Sequence, residues 1–284
     1  MSPLIILATA ADQPDITPSD RLYAEALRRL GAEVRGAPWN GPSSTFEGAD
    51  AVVLRSTWGY YREAHAFHDW TEAMAARTRL FNPIALVRWN LRKDYLDKLA
   101  AAGVRVPNSR LVPPTTEAIA AVFRDHEWRR AVIKPTTGAS GYCVNLVAAD
   151  EISATVARLP DEVRAGGVIV QEFLPEIGDG ELSLVYFDGT FSHAVRKRPP
   201  AGEFRVNSRF GATRTSETPS ANIVALGASA LRALPQLPLY ARIDGVVRDG
   251  ALIVLEVEVL EPALFMEFAP TSAKRFADAT LRQL

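Results

Sequence analysis

Three acidic residues, Glu256, Glu258 and Glu261, interrupt an otherwise apolar segment near the end of the chain. The segment LEVEVLEP (255–262) places Glu256 and Glu258 two positions apart. In a β-strand, residues two apart point to the same face. The other face is apolar and is expected to pack in the core; it consists of Leu255, Val257 and Val259. Because two neighbouring carboxylates repel each other, the sequence predicts a cation between them.

The preceding segment can complete an oxygen-rich metal site. An Asp249-Gly250 pair separates two alternating runs, which is typical of a hairpin because both turn positions need positive φ. This hairpin would bring Asp244 to the level of Glu256, and three converging carboxylates suit Mg²⁺. The alternative is a solvated hairpin face on which Arg242 pairs with the acids. The triplet alone does not decide between the two.

A second candidate site follows an apolar strand that ends in Lys134. In VIKPTTGASGYCV (132–144), small residues would let backbone N–H groups approach phosphate oxygens, and the lysine adds a point charge. The spacing matches neither the P-loop nor the GxGxxG pattern. A plain turn is the alternative. The candidate phosphate-binding residues in the loop are Thr137, Gly138, Ser140, Gly141 and Tyr142.

A third stretch, VIVQEFLPEIGDGELSLVYF (168–187), combines a strand end with a nearby carboxylate. Free backbone groups after Gln171 could read the edge of a nucleobase, and Glu181 could accept ribose hydroxyls. The alternative is a surface loop with an incidental glutamate.

Two further segments are candidates for substrate contact. RSTWGYY (55–61) follows a strand, where doubly wound sheets bind ligands, and its candidates are Arg55, Ser56, Thr57 and Tyr60. The segment 193–214 is rich in arginine, which reads carboxylates through two parallel hydrogen bonds. Its candidates are Lys197, Arg205, Asn207 and Arg209. A flexible basic surface loop is the alternative for this segment.

The elements around these residues change character along the chain. Short apolar strands alternate with helices over the first ~80 residues, which predicts a small doubly wound α/β unit. Its first helix is expected within 17–34, with Ser19 as N-cap and Gly31 as its end. Residues 82–109 are predicted to be mostly helical, and two Asp-Gly hairpins predict a later antiparallel α+β part. We therefore divide the chain at 1–85, 86–170 and 171–284.

Composition excludes some classes of function. The 284 residues carry 32 basic and 33 acidic side chains, a net charge of −1, so bulk charge gives no case for nucleic acid or an anionic membrane. No segment reaches the roughly 18 apolar residues of a membrane span. The single cysteine, Cys143, permits no intrachain disulfide. These features favour a cytoplasmic protein.

In their order and spacing, these pieces resemble the ATP-grasp superfamily over roughly residues 85–270. The series is Lys93, then IKP…GASG, QEFL, GELSLV and RID…LEVEV. The chain is most similar to the glutathione-synthetase-like, ribosomal-protein-modifying-like branch. The segments VVLRSTWGYY, VRWNLRKDYL and LEVEVLEPALF resemble more narrowly a bacterial group that includes the O-ureido-serine cyclo-ligase of cycloserine biosynthesis.

The resemblance implies a fold in which two α+β subdomains sandwich ATP behind an N-terminal α/β substrate domain. It implies that Lys93 and Lys134 contact phosphates, that the loop 137–142 closes as a lid, and that Glu172 and Leu174 meet adenine through the backbone. It further implies Glu181 at the ribose and one or two Mg²⁺ ions on Asp244, Glu256 and Glu258. The family usually has Asn where Glu258 stands, which leaves the number of metal ions open.

The implied activity is an ATP-dependent ligation. A carboxylate of an amino-acid-like small molecule would be phosphorylated, and a nitrogen nucleophile would then form an amide or a ring. Arg242, Lys197 and Asn207 are the candidate catalytic groups. Alternatives are an O-ureido-serine-type cyclisation by the same mechanism, a non-catalytic ATP-binding protein, and a hydrolase using Glu256 and Glu258. A homodimer is expected from the relatives.

Overall fold

The structure, a computed structural model, describes residues 2–284. Its strands and α-helices follow one another in this order: β1 (Leu4–Thr9), α1 (Pro18–Arg29), β2 (Glu33–Pro38), β3 (Ala51–Leu54), α2 (Ala64–Ala75), β4 (Arg79–Phe81), α3 (Ile84–Asn90), α4 (Tyr95–Ala101), β5 (Ser109–Val112), α5 (Thr116–Asp125), β6 (Arg130–Pro135), β7 (Asn145–Ala148), α6 (Ile152–Ala157), α7 (Asp161–Gly166), β8 (Val168–Glu172), β9 (Glu181–Phe187), β10 (Thr190–Arg198), β11 (Thr213–Glu217), α8 (Ala221–Arg232), β12 (Tyr240–Arg248), β13 (Ala251–Glu258) and α9 (Ser272–Arg282).

The N-terminal strands form a parallel sheet in the order β2-β1-β3-β4. Residues 5–8 of the central strand β1 are apolar and fully buried, as a strand covered on both faces requires. Helix α1 begins after Thr17, whose side chain accepts a hydrogen bond from the amide of Asp20. The predicted N-cap, Ser19, is therefore wrong by two residues, because Pro18 takes the first helical position.

The second sheet is antiparallel, with the order β11-β10-β9-β12-β13. Helices α3, α4 and α8 pack on one face of it through a shared apolar core. The predicted helix over 82–109 is thus two short helices with a non-helical break between them, and Lys93 lies in that break. The amide of Lys93 donates to the carbonyl of Thr136 at 2.8 Å, which ties the break to the strand that carries Lys134.

The third sheet, β5-β8-β6-β7, is also antiparallel and packs on α5, α6 and α7. Its strand ends and the charged face of the five-stranded sheet enclose the cavities described below. The predicted α/β and α+β fold class is confirmed. The three boundaries remain a prediction, and α9 returns from the end of the chain to pack against α1. None of the helices in the described range has the length and apolar composition needed to cross a membrane.

Candidate functional site

Two hairpin strands place four charged side chains on one face of the five-stranded sheet. Arg242 lies opposite Glu258, and Asp244 lies opposite Glu256. The predicted level of Asp244 and Glu256 is therefore confirmed. Since residues two apart share a face, all four side chains project to the same side.

The next strands extend this charged face. Ser183 of β9 lies beside Asp244 and donates to its Oδ1 at 2.6 Å. Lys197 of β10 lies beside Glu181 and pairs with it, and the Lys197 Nζ is also 3.4 Å from Asp244 Oδ2. Arg214 of β11 is the cross-strand neighbour of Lys197. This face of the sheet thus carries both cations and carboxylates, with Arg214 beside Lys197 and Asp244 beside Glu256.

A β-bulge changes the expected position of one residue. Asp244 pairs with Glu256, but Gly245 pairs with Val254, so Leu255 is an extra residue in β13. The extra residue breaks the alternation of faces, and Leu255 lines a cavity beside Leu174 and Ile177. The prediction that Leu255 packs in the core with Val257 and Val259 is wrong for this residue, although the other two are fully buried.

Arg242 holds two of the three carboxylates. Its Nη2 is 2.8 Å from Asp244 Oδ2 and 2.5 Å from Glu258 Oε1. Burial works against ionisation of Asp244, but Arg242 and Lys197 outweigh it and hold the pKa of Asp244 well below its usual range. At Glu258 burial outweighs Arg242, and the nearby carboxylates add to it, so the pKa of Glu258 is raised to about 8.

Two buried lysines hold the third carboxylate. Lys93 Nζ is 2.9 Å from Glu256 Oε1, and Lys134 Nζ is 3.7 Å from the same oxygen. Burial favours the neutral form of both amines. At Lys93 the closer Glu256 outweighs burial and raises the pKa, whereas at Lys134 burial dominates and lowers the pKa to about 8.

The three carboxylates form a group that suits a divalent cation. One oxygen each from Asp244, Glu256 and Glu258 can be chosen so that all lie within 4.8 Å of one another. Carboxylate oxygens are the ligands that Mg²⁺ prefers. The donor set therefore fits the predicted metal, with Arg242 and the lysines sharing the same oxygens.

Two cavities meet at this charged centre. We call cavity A the space between the five-stranded sheet, the β6–β7 loop and the end of β8; its apolar end is formed by Val132, Phe173, Leu174, Ile177 and Leu255. We call cavity B the space between the charged centre and the start of α1, lined also by Trp58 and Leu264. Both cavities are lined by Lys93, Lys197, Asn207, Arg242, Glu256 and Glu258.

The structure brings most of the predicted nucleotide residues to cavity A. The residues that line it are Lys93, Lys134, Gly138, Ser140, Gly141, Tyr142, Glu172, Leu174 and Glu181. Thr137 lines neither cavity. The amide of Glu172 already donates to the carbonyl of Asn108 at 2.8 Å, and the Glu172 carboxylate accepts from Asn108 Nδ2 at 2.9 Å.

The predicted substrate residues are divided between several places. Arg55, Tyr60 and Arg209 line cavity B. Arg205 lines cavity A, where its guanidinium pairs with Glu203 at 2.7 Å and lies 3.7 Å from the centre of the Phe210 ring. Ser56 and Thr57 line neither cavity, and their hydroxyl groups are buried without a hydrogen-bond partner.

Arg55 is held in place by contacts within the fold. Its side chain is 1% exposed, with Nε 2.9 Å from Asp20 Oδ1 and Nη2 donating to the carbonyl of Pro262 at 2.8 Å. It also lies 5.0 Å from the centre of the Tyr240 ring. These contacts join the N-terminal sheet to the segment after β13.

The β6–β7 loop (137–144) is held from two sides. Tyr142 stacks on Tyr61 at 4.6 Å and donates to Glu162 Oε1 at 2.5 Å. Gly141 has φ of 69°, and a Cβ there would lie 2.7 Å from Asn207 Oδ1. The loop therefore touches both the N-terminal unit and the 203–211 loop across cavity A.

Comparison with known proteins agrees with this arrangement. Residues 5–82 match the N-terminal domain family of D-cycloserine synthetase DcsG, and residues 97–269 match the ATP-grasp domain family of prokaryotic glutathione synthetase. The cycloserine biosynthesis protein DcsG of Streptomyces lavendulae is 35% identical over 277 residues, which is 92% of each chain. The chain belongs to the ATP-grasp ligases.

Solved structures of this family superimpose on the whole chain. The crystal structure of D-cycloserine synthetase DcsG has a TM-score of 0.88 at 30% identity and covers 99% of each chain. The D-alanine–D-alanine ligase of Bacillus anthracis complexed with ATP has a TM-score of 0.71 at 17% identity, covering 100% of this chain and 98% of the other. The predicted ATP-grasp fold, glutathione-synthetase-like branch and cycloserine-group likeness are confirmed. This ATP-grasp chain is an ADP-forming ligase that makes C–N bonds.

Sequence reasoning missed two residues of the ATP-grasp centre. Arg214 stands in the arginine-rich segment, and its position beside Lys197 depends on a strand register that no local pattern fixes. Phe265 has φ of 51° and is 3% exposed, and its ring lies 5.2 Å from the Arg214 guanidinium and 5.4 Å from that of Arg242. Only the structure shows that this aromatic ring lies against both arginines.

Proposed function

We propose that this ligase phosphorylates the carboxylate of an amino-acid-like substrate in cavity B with ATP from cavity A. The observation that carries the proposal is the wall common to both cavities, which contains Lys93, Lys197, Arg242, Glu256 and Glu258. A phosphoryl group passing between two bound molecules needs them in line and needs its charge neutralised. A charged wall that faces both molecules meets both needs.

ATP is assigned to cavity A by its two contrasting ends. The apolar end suits adenine, with Phe173 and Leu255 against the ring. The N–H of Glu172 is already used, so its carbonyl would accept from the adenine amino group while the Leu174 N–H donates to the ring. Glu181 would accept from the ribose. At the other end, Lys93, Lys134 and the glycine-rich loop would hold the phosphates.

Asp244, Glu256 and Glu258 would hold Mg²⁺. When bound, the metal would neutralise charge on the β- and γ-phosphates. Ser183 would keep Asp244 oriented through its hydrogen bond to Oδ1, and Lys93 would keep Glu256 oriented. One or two ions are compatible with three carboxylates.

The proposed reaction needs no nucleophile from the protein. A carboxylate oxygen of the substrate attacks the γ-phosphorus and ADP leaves; the nitrogen nucleophile then attacks the acyl carbon, phosphate leaves, and the nitrogen loses a proton. Arg242, Lys197 and Asn207 line both cavities and would stabilise the negative charge that develops on the transferred group and on the tetrahedral intermediate.

Ring closure is the finer form of the proposal. The likeness to the cycloserine biosynthesis protein includes the N-terminal domain, which contributes the start of α1 and Trp58 to cavity B. An O-ureido-serine-type substrate would carry the carboxylate and the attacking nitrogen in one molecule. A cytoplasmic location and a homodimer remain predictions.

The test measures binding and turnover separately. Thermal unfolding is followed with ATP and Mg²⁺, with ATP and EDTA, and with GTP and Mg²⁺; at ligand near 100 times Kd, binding adds about 2.7 kcal/mol. ADP release is then measured with O-ureido-D-serine, O-ureido-L-serine and pairs of amino acids. Lys134→Ala is expected to abolish the shift, and the exposed Lys274→Ala to keep it. No shift with ATP, with or without Mg²⁺, would refute ATP binding, and a shift with no ADP release would favour the non-catalytic alternative.

A further inference from the structure

Cavity B contains a buried carboxylate that the fold does not use. Glu261 is 6% exposed and lines this cavity. Its backbone carbonyl accepts from Trp58 Nε1 at 3.4 Å. Within residues 2–284, however, its carboxylate makes no hydrogen bond and no ion pair. The backbone of Glu261 therefore contacts the rest of the fold, whereas its carboxylate is available to a ligand.

Three cations near Glu261 already have other partners. Arg242, Lys93 and Arg55 are the cations with the largest effect on its carboxylate. Arg242 is bound by Asp244 and Glu258, Lys93 is bound by Glu256, and Arg55 is bound by Asp20 and the carbonyl of Pro262. None of the three comes within ion-pair distance of Glu261. The carboxylate of Glu261 therefore has no ion-pair partner among these three cations.

Such a group is costly unless something compensates it. A buried carboxylate without a partner loses its hydration and gains nothing in return. Burial accordingly raises the pKa of Glu261 to about 7. A ligand that brings a positive charge or N–H donors would remove this penalty, whereas a second anion would increase it.

Cavity B also has unpaired positive charge at another part of its wall. Arg214 lies over Phe265 and makes no hydrogen bond or ion pair in the described range, and it stands beside Lys197 at the charged centre. Cavity B is about 440 Å³, which is ample for a small amino acid. Its free charges are therefore of both signs, as a zwitterion would require.

We infer that Glu261 binds the protonated amino group of the substrate and makes this ligase selective for acids that carry a free ammonium group. The inference rests on the proposed function for the identity of cavity B as the acid-binding site. It adds a recognition residue distinct from the three metal carboxylates, and it places Arg214 on the carboxylate side of the same molecule.

The experiment compares matched ligands without nucleotide, so its outcome does not depend on ATP chemistry. O-ureido-D-serine and alanine are each titrated by calorimetry beside an analogue in which hydrogen replaces the amino group. With the wild-type protein, we expect the amino compound of at least one pair to bind about 10- to 100-fold more tightly, the usual range for a hydrogen bond to a charged group. In Glu261→Gln the ratio should fall to near one.

Two controls keep the result specific. Glu117→Gln removes an exposed carboxylate from α5, which lines neither cavity, and should keep the wild-type ratio. Glu261→Asp keeps the charge and should give an intermediate ratio, which also covers the case in which Glu261→Gln does not fold. An unchanged ratio in Glu261→Gln, or wild-type protein that binds neither amino compound, would overturn the inference. Failure of ATP to shift the unfolding temperature would instead count against the proposed function alone.

Discussion

Removing Glu256 should destabilise the ligand-free protein and change how it binds ATP. In Glu256→Ala, Lys93 and Lys134 lose their common partner, although their side chains are only 13% and 6% exposed. Lys93 would then be a buried ammonium group without its anion, and Lys134, whose pKa burial already lowers to about 8, would lose its proton more readily. The phosphates of ATP would supply that anion, so ATP should stabilise the variant even without a divalent metal.

The size of the effect follows from burial. Breaking a buried ion pair by removing one partner costs about 3–5 kcal/mol. The Glu256 side chain is 26% exposed, so the lower end applies. For 284 residues the entropy of unfolding is about 0.6 kcal/mol per kelvin, so a loss of about 3 kcal/mol lowers the unfolding temperature by about 5 °C.

The assay is thermal unfolding followed by circular dichroism, ligand-free and with ATP plus EDTA. Glu217→Ala is the matched control: Glu217 is 29% exposed and pairs at 3.0 Å with Arg196, which is 17% exposed and lines neither cavity. We expect a smaller loss in this control, because Glu217 has one ion-pair partner and Arg196 keeps its hydrogen bond to the carbonyl of Gly180. If Glu256→Ala unfolds within a degree of the wild type, or gains nothing from ATP in EDTA, the account of the two lysines is wrong.

Two further predictions concern the loop and one buried histidine. Gly141→Ala should weaken MgATP binding at least about tenfold, because the added methyl meets Asn207 Oδ1 at 2.7 Å. The control is Gly202→Ala, at a residue that also has a positive φ but lies in open space. Its only expected effect is a loss of stability of roughly 1–2 kcal/mol from backbone strain. Equal MgATP affinities in a binding titration would exclude the contact as the cause. His193 donates from Nε2 to the carbonyl of Leu264, and burial lowers its pKa. Below about pH 6.5 the unfolded chain therefore binds more protons, and stability should fall as the pH drops through the lowered pKa. The difference in denaturant midpoint between wild type and His193→Gln should narrow from pH 7.5 to 5.5, and a constant difference would refute this.

Local patterns were enough for the parts of the site that lie within one hairpin or one loop. The Asp-Gly turn predicts the hairpin that carries Asp244 and Glu256 at neighbouring levels, although their direct pairing depends on the bulge at Leu255, and a period of two puts Glu258 on the same face as Glu256. The strand that ends at Lys134 and the glycine-rich loop are equally local. These features need only the geometry of neighbouring residues, so the sequence carries them directly.

Non-local packing decided the rest. The bulge at Leu255 inserts one residue into a regular alternation, and nothing in LEVEVLEP marks it. Arg55 stands where a sheet of this kind binds ligands, yet Asp20 and Pro262, 35 and 207 positions away, enclose it. Arg214 becomes part of the centre only through its register with Lys197.

The charge arrangement of the ligand-free site explains why these distant contacts matter. Asp244, Glu256 and Glu258 each already lie beside a cation, so the buried centre is stable before ATP binds. Binding of MgATP would then exchange partners rather than bring charges together from water: the phosphates would take over Lys93 and Lys134, and the metal would take over Glu256. In such an exchange, Lys93 and Lys134 would each have two successive partners, first Glu256 and then a phosphate. Arg55 keeps a single set of partners within the fold, whereas the Glu261 carboxylate has no partner until a substrate binds.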